Sequence, residues 1–114
     1  MGRALGEFEQ LILFALVDLE DDAYGASIGR AIERRTGRQV SAGAIYTALD
    51  RLMKRELVRA EVGEPTAERG GRRRKYYRLE PAGAVALSRS VDVMRTMSDG
   101  LIPKLDAMAG TERQ

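Results

Sequence analysis

The stretch SAGAIYTALDRLMKRELVRAEVG, residues 41–63, changes its hydrophobic period partway along. In its first part, apolar side chains recur every three or four residues, which is the spacing of one helix face. From Leu57 onward, apolar and charged residues alternate, which is typical of a strand with one buried face. Ser41 suits the N-cap position, so the stretch predicts a helix from residue 42 followed by a strand. The apolar positions of the helix are Ile45, Ala48, Leu49, Leu52 and Met53.

Another helix is predicted near the amino terminus, and it is apolar nearly all round. One face consists of Phe8, Leu11, Ile12, Ala15 and Leu16. Leu13, Phe14 and Val17 lie on the other side. Because a small domain rarely encloses a helix completely, we expect the second face to pack against a partner subunit.

Three neighbouring acids, Glu20, Asp21 and Asp22, follow this helix. They are compatible with a metal site, but no further ligand is evident, so a solvated capping turn is the favoured interpretation. Asp22 suits the N-cap of another helix that starts near Ala23. Gly37 suits the carboxyl end of that helix.

A hairpin is predicted after the helix that begins at residue 42. Pro65, Gly70 and Gly71 mark a loop, and RRKYYRL, residues 73–79, alternates again. Tyr77 and Leu79 share one face of this second strand, and packing in the hairpin is the favoured role of Tyr76 and Tyr77.

A last helix is predicted from Pro81, which suits a first helical turn, to the neighbourhood of Pro103. Its apolar residues form a narrow seam, as in a helix that pairs with one other helix. We therefore divide the chain into a first unit of residues 1–80, a dimerisation helix of residues 81–109 and a frayed tail of residues 110–114. The predicted dimerisation residues are Phe8, Leu13, Phe14, Val17, Leu87, Val91, Met94 and Leu101.

Composition excludes several classes of function. The 114 residues contain no Cys and no His, which removes disulfides, thiol nucleophiles, histidine bases and the usual zinc ligands. We expect no enzyme activity, no cofactor and no metal. The longest apolar run is too short to span a bilayer, and the amino terminus lacks the features of a signal peptide, so we expect a cytoplasmic protein.

Positive charge is concentrated in the middle of the chain. Residues 30–78 hold 14 of the 19 Lys and Arg residues but only 6 of the 17 acids, a net charge of +8. This asymmetry is typical of a surface that faces a polyanion, although an ordinary solvated face is the alternative.

The order of helix, helix, helix, hairpin and helix predicts a mainly α protein with a two-stranded β-hairpin, arranged as a winged helix-turn-helix. In this fold the third helix enters the major groove of DNA and the hairpin, or wing, contacts the flanking backbone or the minor groove. For two residues of the third helix there is an alternative to DNA contact. Tyr46 could pack on the second helix, and Arg51 could pair with Asp50 or Glu56. The predicted DNA-binding residues are Ser41, Ala42, Gly43, Tyr46, Thr47 and Arg51 on the helix and Arg72, Arg73, Arg74 and Lys75 on the wing.

The segments VSAGAIYTALDRLMKRELV (40–58), GRRRKYYRLEPAG (71–83), YGASIGRAI (24–32) and LILFALV (11–17) together resemble the PadR family of bacterial transcription regulators. The resemblance covers roughly residues 8–85. It implies a homodimeric winged-helix repressor of a near-palindromic operator, and it assigns DNA contacts to Ser41, Gly43, Tyr46 and Thr47 and to wing residues 72–75. Arg73 stands where the family often has proline, and this adds charge. A single terminal helix resembles the smaller subgroup of the family.

Two further functions stay open at this point. The basic face suits an acidic protein partner as well as DNA, which would make the chain a winged-helix protein-interaction module. Phe14, Met94 and Met97 suit an adaptable apolar pocket for a small-molecule effector, although ordinary interface packing is the alternative. Some PadR relatives hold aromatic drugs between tryptophans, and this chain has no Trp.

Overall fold

A computed structural model describes residues 3–65, 70 and 73–110. Five helices and one hairpin make up these residues, which confirms the predicted fold class. The helices are α1 Glu7–Leu19, α2 Gly25–Thr36, α3 Ala42–Lys54, α4 Pro81–Ser98 and α5 Ile102–Ala109, with strands β1 Val58–Pro65 and β2 Arg73–Leu79 between α3 and α4. No helix among the described residues is long and apolar enough to cross a membrane.

The core lies between α1, α2 and α3, and it is closed by the start of β1, by Tyr77 of β2 and by α4. Two predicted dimerisation residues belong to it: Leu13 is 0% exposed and Leu87 is 5% exposed. The prediction that they face a partner is wrong. α1 packs against α2, α3 and α4 at once. The rest of the same chain therefore covers more than one face of α1.

The ends of α2 and α3 follow the residue types expected there. Gly37 ends α2 in the left-handed conformation, with φ of 75°. The Ser41 Oγ accepts a hydrogen bond from the Ala44 N–H at 3.1 Å, which confirms the predicted N-cap of α3.

The predicted N-cap at Asp22 is wrong. Residues 20–22 form a short 3₁₀ turn, and α2 begins at Gly25. Instead, the Ser27 Oγ accepts from the Tyr24 N–H at 2.9 Å and donates to the Asp22 carbonyl at 2.6 Å. Residue 23 stays extended because its carbonyl accepts a hydrogen bond from the Tyr77 N–H at 2.8 Å.

The wing is an antiparallel hairpin, in which Val58 pairs with Leu79 and Ala60 with Tyr77. Gly83 of α4 lies against its base. A Cβ at residue 83 would overlap the backbone carbonyl oxygen of Leu57, which cannot turn aside as a side chain can, so a glycine is required for this close approach.

The carboxyl-terminal region contains two helices where one was predicted. The chain turns at Gly100, whose φ is 75°, and Pro103 lies in the first turn of α5 rather than at the end of a helix. No residue of α5 is buried. Residues 111–114, most of the predicted frayed tail, lie outside the described residues.

Candidate nucleic-acid interface

The amino-terminal end of α3 presents small and polar residues at the surface. Ser41, Ala42, Gly43, Tyr46 and Thr47 are all exposed, opposite the buried stripe of the same helix. The backbone N–H groups of a first helical turn are positioned to bind a phosphate.

Gly43 is not needed by the packing of the chain itself. A Cβ at this position would meet no atom within 4 Å. The absence of a side chain at residue 43 therefore leaves room for a molecule that approaches α3 from outside.

Tyr46 packs against α2 through its hydroxyl end but remains partly exposed. Its ring lies over Gly25, where an added Cβ would be 2.7 Å from the Tyr46 Cζ. The side chain is nevertheless 47% exposed. Packing against α2, which we considered as the alternative to DNA contact, thus holds the ring in place and leaves part of it accessible.

The predicted cations differ in their surroundings. Arg51, Arg73 and Lys75 are exposed and form no ion pair with any described residue. The alternative pairing of Arg51 with Asp50 or Glu56 is therefore not present. Arg72 lies outside the described residues.

Arg74 is half-buried because its guanidinium stacks on Tyr24, which immediately precedes α2. The guanidinium carbon is 3.9 Å from the ring centroid, a cation–π contact. Tyr76 meets the same ring edge-on, with the centroids 5.9 Å apart. These contacts attach the wing to the start of α2.

Tyr77 attaches the wing to the hydrophobic core. Its side chain is buried, and burial raises the pKa of its hydroxyl, with further contributions from the nearby Tyr46 and Asp50 of α3. Arg74 of the wing stacks on Tyr24, and Tyr46 of α3 packs against the next residue, Gly25. The wing and α3 therefore meet at the start of α2.

Arg78 holds the base of the wing to the acidic turn. Its Nη1 lies 2.6 Å from an Asp21 carboxylate oxygen, and its Nε lies 3.1 Å from the Glu61 carboxylate. The hydrogen bond from Arg78 lowers the pKa of Glu61. Among the described residues no cluster of acids suits a metal ion, and Asp21 has the structural role of an anchor.

Carboxylates of α1 pair with arginines of α2 and of the segment that follows it. Arg34 and Arg35 contact Asp18 at 3.2 and 3.0 Å, and Arg38 contacts Glu7 at 3.1 Å. The hydrogen bond from Arg35 lowers the pKa of Asp18. The net charge of +8 in residues 30–78 therefore overstates what this surface offers a polyanion.

Residues 12–89 match the sequence pattern of the transcriptional regulator PadR-like family, well over half of the chain. The chain belongs to the PadR family. It is thus a DNA-binding transcription regulator and not an enzyme, as the sequence predicted.

Two uncharacterised proteins are similar to this chain in sequence. An uncharacterised protein of Lysinibacillus sphaericus is 34% identical over 88 residues, covering 75% of this chain and 76% of that one. A 37.1 kDa protein from a Streptomyces fradiae transposon is 36% identical, covering 79% of this chain, which spans only 24% of that protein.

Solved structures share the fold. A PadR family transcription regulator from Clostridium difficile has a TM-score of 0.71 and 26% identity, covering 88% of this chain and 99% of that one. A Streptococcus mutans protein has a TM-score of 0.64 and 25% identity, covering 100% of this chain and 99% of that one.

Sequence reasoning missed two residues of this PadR-family surface. These residues are Tyr24 and Arg30. The Tyr24 ring stacks with Arg74 of the wing, and the Arg30 Nη2 donates to the Tyr24 hydroxyl at 2.8 Å. The available signal was an aromatic residue directly before Gly25, at the start of a helix, in a chain with few aromatics.

Proposed function

We propose that this PadR-family regulator is a homodimeric repressor that binds a near-palindromic operator. The amino-terminal end of α3 lies in the major groove, and the wing contacts the flanking backbone. The observation that supports this most is that the wing and α3 meet at the start of α2, where Arg74 stacks on Tyr24 and Tyr46 packs against Gly25. The unpaired cations Arg73 and Lys75 flank Arg74 in the same strand and are therefore close to this junction.

Unpartnered apolar residues support the homodimer. Phe14 and Val17 of α1 are 46% and 52% exposed, although both are large and apolar. In the carboxyl-terminal region, Met94 and Leu101 are also exposed and Val91 is half-buried, as is Phe8 of α1. Apolar area of this extent on two regions favours burial against a second copy. Two α3 helices related by a twofold axis would reach half-sites about 34–36 Å apart, one helical turn of DNA.

An effector pocket would need the dimer. In one protomer, Phe14 lines a groove between α1 and α2, whereas Met94 lines a separate groove beside Leu57 and α4. A ligand that contacts both residues must therefore bind where two protomers meet. A bacterial regulator of this kind works in the cytoplasm, where the DNA lies.

Selection of bound duplexes from a random pool tests the proposed function. We expect a near-palindromic consensus, and we expect Thr47→Ala to change which bases are preferred within each half-site. Arg95→Ala, an exposed change on α4, is the control and should leave the consensus unchanged. Recovery of no consensus at physiological salt would contradict the proposal and would favour the protein-interaction module.

A further inference from the structure

We propose that Arg30 and Arg74 form a binding site for a DNA backbone phosphate where the wing contacts the start of α2. Arg30 bonds the Tyr24 hydroxyl, and Arg74 stacks on the Tyr24 ring. This inference rests on the proposed function, since it assigns a further contact to the same DNA-binding surface. It adds Arg30 and Tyr24, which were not among the residues predicted from the sequence.

Two cations converge on one aromatic ring. The guanidinium carbon of Arg74 lies 3.9 Å from the Tyr24 centroid and that of Arg30 lies 5.7 Å from it. Their separation cannot exceed the sum of these distances, so both fall within reach of one phosphate or of two successive phosphates. The ring partly offsets their repulsion through its quadrupole.

No described carboxylate neutralises either cation. Neither Arg30 nor Arg74 forms an ion pair within residues 3–65, 70 and 73–110, whereas Arg34 and Arg35, farther along α2, both contact Asp18. Arg30 is thus exceptional among the arginines of α2. Like charges that are gathered without a counter-charge favour an external anion.

The site adjoins the end of α3 that is assigned to the major groove. Arg30 lines a groove of about 530 Å³ between α2 and α3, together with Ala42 and Tyr46. If α3 lies in the DNA major groove, a backbone phosphate at the edge of that major groove is the anion best placed to reach Arg30.

Tyr24 sets the geometry of the pair. Its hydroxyl accepts a hydrogen bond from Arg30, and its ring carries Arg74 from the wing. The two guanidinium groups come together only when the wing is attached to α2, so the site links wing position to phosphate binding.

The test is the salt dependence of binding to a random-sequence duplex, measured by fluorescence anisotropy with the full chain. Each phosphate that the protein no longer neutralises lowers the log–log slope by about 0.9. We expect Arg30→Gln to lower the slope by about that amount per protomer. Arg34→Gln is the matched control, because Arg34 is an exposed arginine one turn away that is already paired with Asp18.

Arg30→Lys separates charge from geometry. It keeps the charge, so we expect the slope to be retained, while affinity falls because lysine cannot bond the Tyr24 hydroxyl and a phosphate as the planar guanidinium does. Equal slopes for Arg30→Gln, Arg34→Gln and the unaltered chain would overturn the inference and leave the proposed function intact. If the unaltered chain binds no duplex at all, the proposed function itself is wrong.

Discussion

Single glycines in this chain have opposite roles. Gly25 lies under the Tyr46 ring, whereas Gly43 borders open space. Both belong to helices, and local sequence gives no sign of which glycine is covered, because the covering residue lies on another element.

Alanine substitution distinguishes the two glycines. Gly25→Ala forces the Tyr46 ring to move, so we expect a loss of about 1–3 kcal/mol in the free energy of unfolding, typical of overpacking. Gly43→Ala should raise stability by up to about 1 kcal/mol, because alanine favours a helix, yet should weaken DNA binding. Urea unfolding and duplex binding measure the two effects. A stabilised Gly43→Ala chain with unchanged binding would exclude close approach of DNA at residue 43.

Tyr77 predicts a loss of stability at alkaline pH. Burial raises its pKa above the ordinary value of 10.0 in the folded chain. The unfolded chain therefore loses this proton at lower pH than the folded chain does. The stabilisation is fully present below about pH 10 and is lost as pH rises through the folded pKa. Urea unfolding at about pH 9 and about pH 11 should show a smaller drop for Tyr77→Phe than for the unaltered chain. Equal drops would mean that other groups cause the alkaline loss.

Local signals predicted residues whose role depends on their neighbours along the chain. The Ser41 cap and the Gly37 stop were both predictable, because each satisfies backbone groups within a few residues. The contacts of Tyr24 with Arg30 and Arg74 were not, since they depend on how α2 and the wing pack together.

At the scale of elements, the wing is defined as much by its attachments as by its own pairing. Alternation in the sequence predicted both strands and the inward face of Tyr77. The carbonyl of Ala23, the Tyr24 ring and Asp21 then hold β2 against the turn before α2. These partners lie about fifty residues earlier in the chain, and no periodicity reveals them.

The unpaired wing cations should control salt dependence. We expect the double variant Arg73→Ala/Lys75→Ala to weaken binding to any duplex and to lower the log–log slope by about 0.9 for each phosphate that is no longer bound. Arg59→Ala is the control from the same hairpin, because Arg59 already contacts Glu80 at 2.9 Å. A salt titration measures both slopes. If Arg59→Ala lowers the slope as much as the double variant does, the prediction that the unpaired cations bind the phosphates is wrong.

At the scale of the whole molecule, the described chain extends 55 × 33 × 21 Å and leaves α5 without a buried residue. Hydrophobic pattern alone could not separate the side of α1 that its own chain covers from the side that stays open. Leu13 is enclosed while Phe14 and Val17 are not, although all three were predicted to face a partner. The difference depends on how α2, α3 and α4 pack around α1, which is a tertiary property.

The open side of α1 should control assembly. Phe14→Glu places a charge on the proposed contact between protomers, so we expect the dimer to dissociate at concentrations where the unaltered chain is dimeric. Val62→Glu, an exposed apolar residue of the wing, is the matched control. Analytical ultracentrifugation measures both variants. An undisturbed dimer for Phe14→Glu, with the fold retained, would place the interface elsewhere.

The ties that Asp21 and Glu61 make with Arg78 have a consequence for the hairpin as a moving part. The resemblance to the PadR family implies a proline at the position of Arg73, and this chain lacks the fixed backbone angle of that proline. In this chain, the ion pairs of Arg78 with Asp21 and Glu61 contribute to the rigidity of the hairpin, and these groups are partly exposed to solvent. Such contacts weaken as dissolved ions accumulate around them. Added salt should therefore have two effects on this protein: it weakens the contacts of the cations with DNA phosphates, and it weakens the ion pairs that hold the hairpin in position.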